Sequence, residues 1–375
     1  MKKVGIAGYG STKFSKNEIA IEELLVESTK QVFEKTPNLS QNLIDGVIIS
    51  TNDNSKYLGA IISERIGIKP KISHTVEHLC SSGTNAVISA FSYIASGLAD
   101  VILVTGGDVI GNPGQVLEWD KSRGELNHPI YWGSMFTKAY KRKFNATEEE
   151  LAIVSAKNHK QAMDNPNSYS HDVYTISQIM NSKIITDDLR ILDCSYPCSG
   201  SSSVLLASEN VINNFTDAPI WISGIGQKTI SATFTKNDLS KLSSTISASK
   251  DAYEMSNICP SDIDVAEVHD AFSVCELMAV GDLGLSGKSQ PTEFVRNLFN
   301  TEDRKINPRG GLIGAGHPLG ATGIAQIIEI TQQLQNKAKN RQISNAKMGL
   351  THNMSAAATS STVLVLESLI SLKQN

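Results

Sequence analysis

The second half of the chain repeats the order of the first, and this duplication restricts the possible folds more than any other feature of the sequence. The apolar run at residues 220–226 echoes 4–10, and 263–268 echoes 44–49. Residues 316–323, leading into a helical pattern at 324–334, stand where 77–86 stand before the helical pattern at 87–95. Residues 358–366 echo 200–207. Short apolar runs alternating with helical periodicity predict an α/β protein built from two pseudo-repeated βαβ halves. Two such halves imply a pseudo-twofold axis near which equivalent strand-to-helix loops meet, so Cys80 is expected to face His317.

Residues 107–190 interrupt the first half with polar, aromatic-bearing, loop-rich sequence that holds helical pieces such as 148–164. Inserted segments of this kind commonly build the mouth of a substrate site. The expected division is therefore 1–106 with 191–217 as the first half, 107–190 as an inserted loop domain, and 218–375 as the second half. The regular pattern is expected to resume at 191–194 and 199–207. Gly8-Tyr9-Gly10 lacks the third glycine of a dinucleotide-binding turn and reads as a tight turn.

A 375-residue chain that is 40% hydrophobic can bury a sizeable core. With 34 basic and 38 acidic residues spread along it, no basic block is available to attract nucleic acid or an anionic membrane. The five cysteines form no CxxC pairs and residues 1–8 do not lead into a signal-peptide core, so a reducing cytoplasm is expected. The apolar runs fall far short of a bilayer span.

Cys80 opens a run of small residues at the start of a helix, where the helix dipole and close backbone approach favour a thiolate. By residue type alone, a free cysteine is more often a small buried apolar residue than a nucleophile. Two further loops converge on it in the duplicated geometry: His269-Asp270-Ala271-Phe272, and His317 between Gly316 and Pro318. A thiol nucleophile needs a base, and an acyl intermediate needs donors aimed at its oxygen; two histidines can serve both needs. No metal-ligand spacing is present, so no metal is expected.

Four segments together carry a resemblance: Cys80-Ser81-Ser82-Gly83, Glu267-Val268-His269-Asp270-Ala271-Phe272, Asn307-Pro308-Arg309-Gly310-Gly311, and the loop at 316–323. In these the chain resembles the thiolase superfamily, and within it the sterol carrier protein-type and archaeal acetyl-CoA C-acetyltransferase branch. The resemblance runs from Val4 to Leu366. It implies a five-layered α/β/α/β/α thiolase fold and a thiolase-type acyl-CoA C-acyltransferase working through an acyl-cysteine. Acyl-CoA and coenzyme A would be substrates, with no tightly bound cofactor, and the assembly would be a homodimer or homotetramer. Cys80 would be the nucleophile and His317 its base. His317 and a water on His269 would form one oxyanion hole; the Cys80 N–H and an N–H from the turn at Ser355, Ala356 and Ala357 would form the second. The insertion would bind the coenzyme A arm. Relatives of archaeal type associate with a small OB-fold/zinc-ribbon protein and with HMG-CoA synthase, toward mevalonate.

Two departures from the family pattern stand out. The second cysteine that relatives use as acid/base is absent both at Ala271 and in the segment at 352–358. An alanine cannot move a proton, so His352, Cys275 and Cys198, in that order, are candidates to replace it. The methyl groups of Ala356, Ala357 and Ala358 would also narrow the room beside the nucleophile. The departures leave two alternatives: a thiolase-fold retro-aldolase acting on β-hydroxyacyl-CoA, and a non-catalytic acyl-CoA-binding subunit of a larger complex.

Overall fold

A computed structural model describes residues 1–110, 128–233 and 236–368. In chain order the elements are β1 (Val4–Ser11), α1 (Ile21–Lys35), β2 (Gly46–Ser50), α2 (Leu58–Arg65), β3 (Ile72–Val76), α3 (Ser82–Ala95) and β4 (Val101–Asp108). The inserted segment contributes α4 (Pro129–Phe144), α5 (Glu148–Ala162), α6 (Ile176–Met180) and the small hairpin β5 (Ile184–Thr186) and β6 (Leu189–Arg190). Then follow β7 (Gly200–Ser208), β8 (Ile220–Thr229), α7 (Ser243–Ser256), β9 (Val265–Glu267), α8 (Ser273–Asp282), α9 (Pro291–Thr301), α10 (Gly311–Ala315), α11 (Leu319–Leu334), β10 (Met348–Ser355) and β11 (Ser360–Ser368). Residues 191–193, expected to resume the regular pattern, form only a single 3-10 turn.

The main sheet runs β3-β2-β4-β7-β1-β8-β11-β10-β9. It is symmetric about its centre: β2-β4-β7-β1 on one side is mirrored by β9-β10-β11-β8 on the other, as the duplication requires. The halves join by antiparallel pairing of Gly5 with Trp221 and Ile6 with Ile220. The parallel β2–β3 pair of half one has no counterpart beyond β9, where the sheet ends.

Strand alternation explains the layers. Val47 and Ile49 of β2, Val101 and Leu103 of β4, and Leu205 and Ala207 of β7 pack outward with residues of α1 and α2. Their neighbours Ile48, Ile102, Val104, Val204 and Leu206 point the other way, into a central core with α3 and α11. Leu364 and Leu366 of half two enter the same core, whereas Val363 and Val365 face α7 and α8 on the far side. Helices, sheet, helices, sheet and helices thus make the five layers that the resemblance implies.

The central helices touch through glycines. A Cβ on Gly83 of α3 would lie 2.8 Å from the Gly320 carbonyl oxygen, and one on Gly323 of α11 would lie 2.7 Å from the Thr84 backbone nitrogen. Only hydrogen fits at these contacts, which bring the starts of α3 and α11 together. The Gly323→Ala variant is therefore expected to lose about 1–3 kcal/mol of stability through overpacking, read as a lower urea midpoint.

Candidate active site

Cys80 lies in a one-turn 3-10 helix, Leu79–Ser81, immediately before α3. The turn is tightly laced. Leu79 adopts a left-handed φ of 48°, and its carbonyl accepts from Asn52 Nδ2 at 3.0 Å and Ser82 Oγ at 2.7 Å. Ser355, at the end of β10, accepts from Ser81 N at 3.2 Å and donates to the His78 carbonyl at 2.5 Å. The chain after it turns through three successive left-handed residues, Ala356, Ala357 and Ala358, at φ of 44°, 62° and 55°. Each such non-glycine residue costs about 1–2 kcal/mol, a cost that the Ser355 and Ser81 bonds help to hold in place.

His269 follows β9, and the next residue fixes a second loop. The Asp270 carboxylate accepts from Leu312 N at 2.6 Å, from Ile313 N at 3.3 Å and from Asn158 Nδ2 at 2.7 Å. Asp270 therefore caps α10, and α10 leads through Gly316, at φ 94°, into His317. His317 N donates to the Tyr196 carbonyl at 2.9 Å. Thr322 Oγ1 donates to the Pro318 carbonyl at 2.8 Å, so at its 2.7 Å contact with His317 Nδ1 the hydroxyl accepts. This network assigns the proton to Nδ1 and leaves Nε2, which has no partner among the described residues, as the basic nitrogen.

The Cys80 sulfur and one ring nitrogen each from His269 and His317 lie within 4.8 Å of one another. The two rings meet edge to face, with centroids 5.3 Å apart. The expected meeting of Cys80 and His317 across the pseudo-twofold axis is thus realised. A sulfur and two imidazole nitrogens are also a donor set that suits a soft divalent ion, a grouping that sequence spacing does not reveal.

Burial decides the protonation of this cluster. It pushes the Cys80 thiol up to about 12, with lesser contributions from Asp108 and Glu77. Burial, then the charge of Arg309, brings His317 down to about 3, and burial holds His269 well below its ordinary range. All three groups are neutral at pH 7. The thiolate expected from the helix start is not the resting form, because desolvation outweighs the dipole. Iodoacetamide alkylation of Cys80, followed by peptide mapping, is expected to quicken about tenfold per pH unit from about pH 7 to about pH 10, without the plateau of an ordinary thiol near 8.5.

Cys80 and His317 line a cavity of about 330 Å³ whose walls are mostly apolar. The inserted segment supplies His128, Pro129, Ile130 and Trp132 to it, while residues 111–127 of that segment lie outside the described residues. Ala271, where the resemblance led a cysteine to be expected, lines the wall, and so does Ala356. Ala357 and Ala358 do not, so only one of the three methyls narrows the space.

The order of candidates for the missing acid/base needs correction. His352 is buried with Nε2 on Thr245 Oγ1 at 2.9 Å and Nδ1 facing His269 N at 3.4 Å, and it does not reach the cavity. It pairs with Val363, and strand alternation turns it to the α7 side. Cys275 is enclosed in the core beneath α8, away from the cavity. Cys198, ranked last, does line the cavity; burial pushes its thiol up to about 12.

Cys194 and Asp108 are among the cavity residues that escaped the sequence reading. Cys194 lies in the wall, in the loop between the 3-10 turn and β7. Asp108, at the end of β4, accepts from Thr51 Oγ1 at 2.9 Å, Asn52 N at 2.8 Å and Gly320 N, tying half one to the first turn of α11. Burial raises it to about 6. A buried acid at a strand end before an inserted loop was its only sequence signal.

Residues 4–188 match the thiolase N-terminal domain and 226–368 the thiolase C-terminal domain-like family. The acetyl-CoA acetyltransferase of Methanothermobacter thermautotrophicus is 30% identical over 371 residues, covering 94% of this chain and 96% of that protein. Sterol carrier protein 2 of Homo sapiens is 30% identical over 384 residues, covering 94% of this chain and 70% of its own length. Among solved structures, the Ltp2-ChsH2(DUF35) aldolase superimposes with a TM-score of 0.87 at 22% identity, over 98% of both chains. Human mitochondrial 3-ketoacyl-CoA thiolase in complex with CoA gives 0.76 at 18% identity, again over 98% of both. At such identities the structures speak for the fold alone. With both family domains matched in order and the duplicated halves meeting at Cys80 and His317, the chain belongs to the thiolase family of acyl-transferring enzymes.

Proposed function

We propose that the protein is a thiolase-type acyl-CoA C-acyltransferase, an acetyl-CoA C-acetyltransferase or 3-ketoacyl-CoA thiolase that works through an acyl-Cys80 intermediate. The observation that carries this reading is the convergence of the Cys80 sulfur, His269 and His317 within 4.8 Å at the wall of an apolar cavity. Cys80 Sγ attacks the thioester carbonyl as its proton passes to His317 Nε2. The tetrahedral oxygen is held by backbone N–H groups of Cys80 and the Ser355–Ala357 turn. Collapse expels the coenzyme A thiolate, which takes the proton back from His317. In the carbon–carbon step a water on His269 donates to the enolate oxygen of the second thioester, and His317 joins it as a donor once its Nε2 carries a proton. Cys198 is the candidate that moves the α-proton, because it alone of the three alternatives lines the cavity.

Relatives named acetyl-CoA acetyltransferase support this reading. Coenzyme A thioesters are the substrates, with no resident cofactor, and the inserted segment takes the coenzyme A arm. A cytoplasmic homodimer or homotetramer is the proposed state. No described helix is long and apolar enough to cross a membrane. A small OB-fold/zinc-ribbon protein and HMG-CoA synthase are the proposed partners. In the test, acetyl-CoA or acetoacetyl-CoA should leave an acyl group on Cys80 by intact mass and peptide mapping, and acetoacetyl-CoA with coenzyme A should yield acetyl-CoA. Acyl-enzyme without thiolysis, even with the small partner added, would refute the transferase.

A second reading is favoured by Ala271, which lines the cavity with a methyl that cannot carry a proton, where the resemblance implies a cysteine. A retro-aldolase cleaving β-hydroxyacyl-CoA needs no acyl-cysteine, so a Cys80→Ala protein that retains cleavage would select it.

A further inference from the structure

Helix α11 begins without a cap of its own. The residue at its N-cap is Pro318, whose side chain offers no acceptor to the orphan N–H groups of the first turn. The acceptor comes from the other half of the molecule. Asp108, the last residue of β4, takes the Gly320 N–H on Oδ2. Ser50, the last residue of β2, donates its hydroxyl to the Gly320 carbonyl at 2.8 Å, so both backbone polar groups of Gly320 reach half one. A Cβ on Gly320 would stand 2.5 Å from the Ser50 carbonyl oxygen, which leaves no slack at this junction.

The second oxygen of Asp108 holds the side of the nucleophile. Oδ1 accepts from Thr51 Oγ1 at 2.9 Å and from Asn52 N at 2.8 Å. Asn52 Nδ2 donates in turn to the carbonyl of Leu79, the residue before Cys80, at 3.0 Å. On the α11 side, His317 immediately precedes the capped turn, and its ring is fixed by Thr322, itself anchored on the Pro318 carbonyl. One buried carboxylate therefore stands midway along a short run of contacts from the backbone at Cys80 to the ring of His317. We propose that Asp108 is a positioning residue for acyl transfer, capping α11 from the opposite half and so setting His317 against Cys80. This inference rests on the acyl-cysteine reading above and assigns the residue that aligns its base with its nucleophile. Misplacing a reacting group by about 1 Å costs up to about a hundredfold in rate.

The test compares two reactions of the same sulfur at pH 8, where Asp108, raised by burial to about 6, is a carboxylate. Acetylation by acetyl-CoA needs His317 to take the proton; alkylation by iodoacetamide needs only the thiolate, which solvent can supply. Asp108→Asn keeps the size of the side chain, but a carboxamide has one acceptor oxygen for two sets of donors. Either the bond to Gly320 or those to Thr51 and Asn52 must break. Acetylation of Cys80 in this variant, read by quenched intact-mass time courses, is expected to slow by about tenfold to a hundredfold at saturating acetyl-CoA, with the half-saturating concentration changed by less than about threefold. Alkylation is expected to hold or quicken, because the Asp108 charge adds to burial in holding the thiol up. A merely structural loss would slow both reactions together or neither. Asn52→Ala, which cuts the run at Leu79, should show the same split to a smaller degree. A folded Asp108→Asn protein whose ratio of acetylation to alkylation stays within about threefold of native overturns the proposal. Where that variant does not melt cooperatively, a folded Asn52→Ala protein decides by the same criterion. No acetyl label on the native protein would refute the acyl-cysteine reading itself, whereas label on the native protein with an unchanged ratio in the variant refutes the positioning role alone.

Discussion

Replacing Cys80 with alanine is expected to abolish acyl-enzyme formation and to lower thiolysis of acetoacetyl-CoA by about 10⁴-fold or more. The size follows from how the site is wired. His317 Nδ1 is committed to Thr322, and Nε2 has no partner among the described residues, in a cluster whose other members are Cys80 and His269. Removing the sulfur leaves a neutral base with nothing to deprotonate, and the remaining backbone donors bind an oxygen that no nucleophile has created. Cys80→Ser is expected to fall nearly as far, since a hydroxyl beside a histidine held down to about 3 is a far weaker nucleophile than a thiol. Steady-state thiolysis and intact mass, run side by side, separate this outcome from misfolding. A Cys80→Ala protein that keeps more than a tenth of native thiolysis would rule out the covalent route.

The largest effect on stability is expected at Glu276. Lys157 and Glu276 are both buried, with Nζ 3.1 Å from Oε1 and 3.3 Å from Oε2. Oε2 also accepts from Asn158 and Asn307 at 2.7 Å each. Asn158 donates in turn to Asp270, so one connected network holds the loops that carry His269 and His317. Glu276→Ala strands the Lys157 ammonium in the core and is expected to cost about 3–5 kcal/mol, read as a lower urea midpoint at unchanged slope. The same change removes a like charge that pushes Asp270 up to about 7, after burial itself. Paired replacement of Lys157 and Glu276 by Met and Leu should cost less than the single change, because the Lys157–Glu276 pair is removed together, while Asp270 loses both the like charge that raises it and the cation that lowers it. Equal losses in the single and double variants would show that the network contributes through packing rather than charge.

The scaffold was legible because the short apolar runs of β2, β4 and β7 and the glycine-led turns at the helix starts follow local rules that survive folding. The pairing of Cys80 with His317 was legible through the duplication alone. His352 was misread because β10 is buried on both faces, so no polar–apolar pattern marks which side chains reach the cavity. Cys194, Asp108 and Trp132 enter the cavity from a loop, a strand end and an inserted helix, whose placement depends on tertiary contacts. The charge state of Cys80 escaped for a similar reason: a dipole can be read from a helix start, but desolvation requires knowing what covers it.

The glycine contact between α3 and α11 also imposes an order on how the protein comes into being. Half one leaves the ribosome with the inner face of its sheet only partly covered, because α11, which fills the rest, is made more than two hundred residues after α3. Ile102, Val104 and Leu206 therefore wait with part of their partners missing, and the N-terminal half cannot finish packing on its own. Cys80 spends most of synthesis as an ordinary thiol with neither His269 nor His317 yet made. Chemical competence arrives only when His317 and the late helix dock, so that a truncated nascent chain carries the nucleophile without the base that its acyl transfer uses.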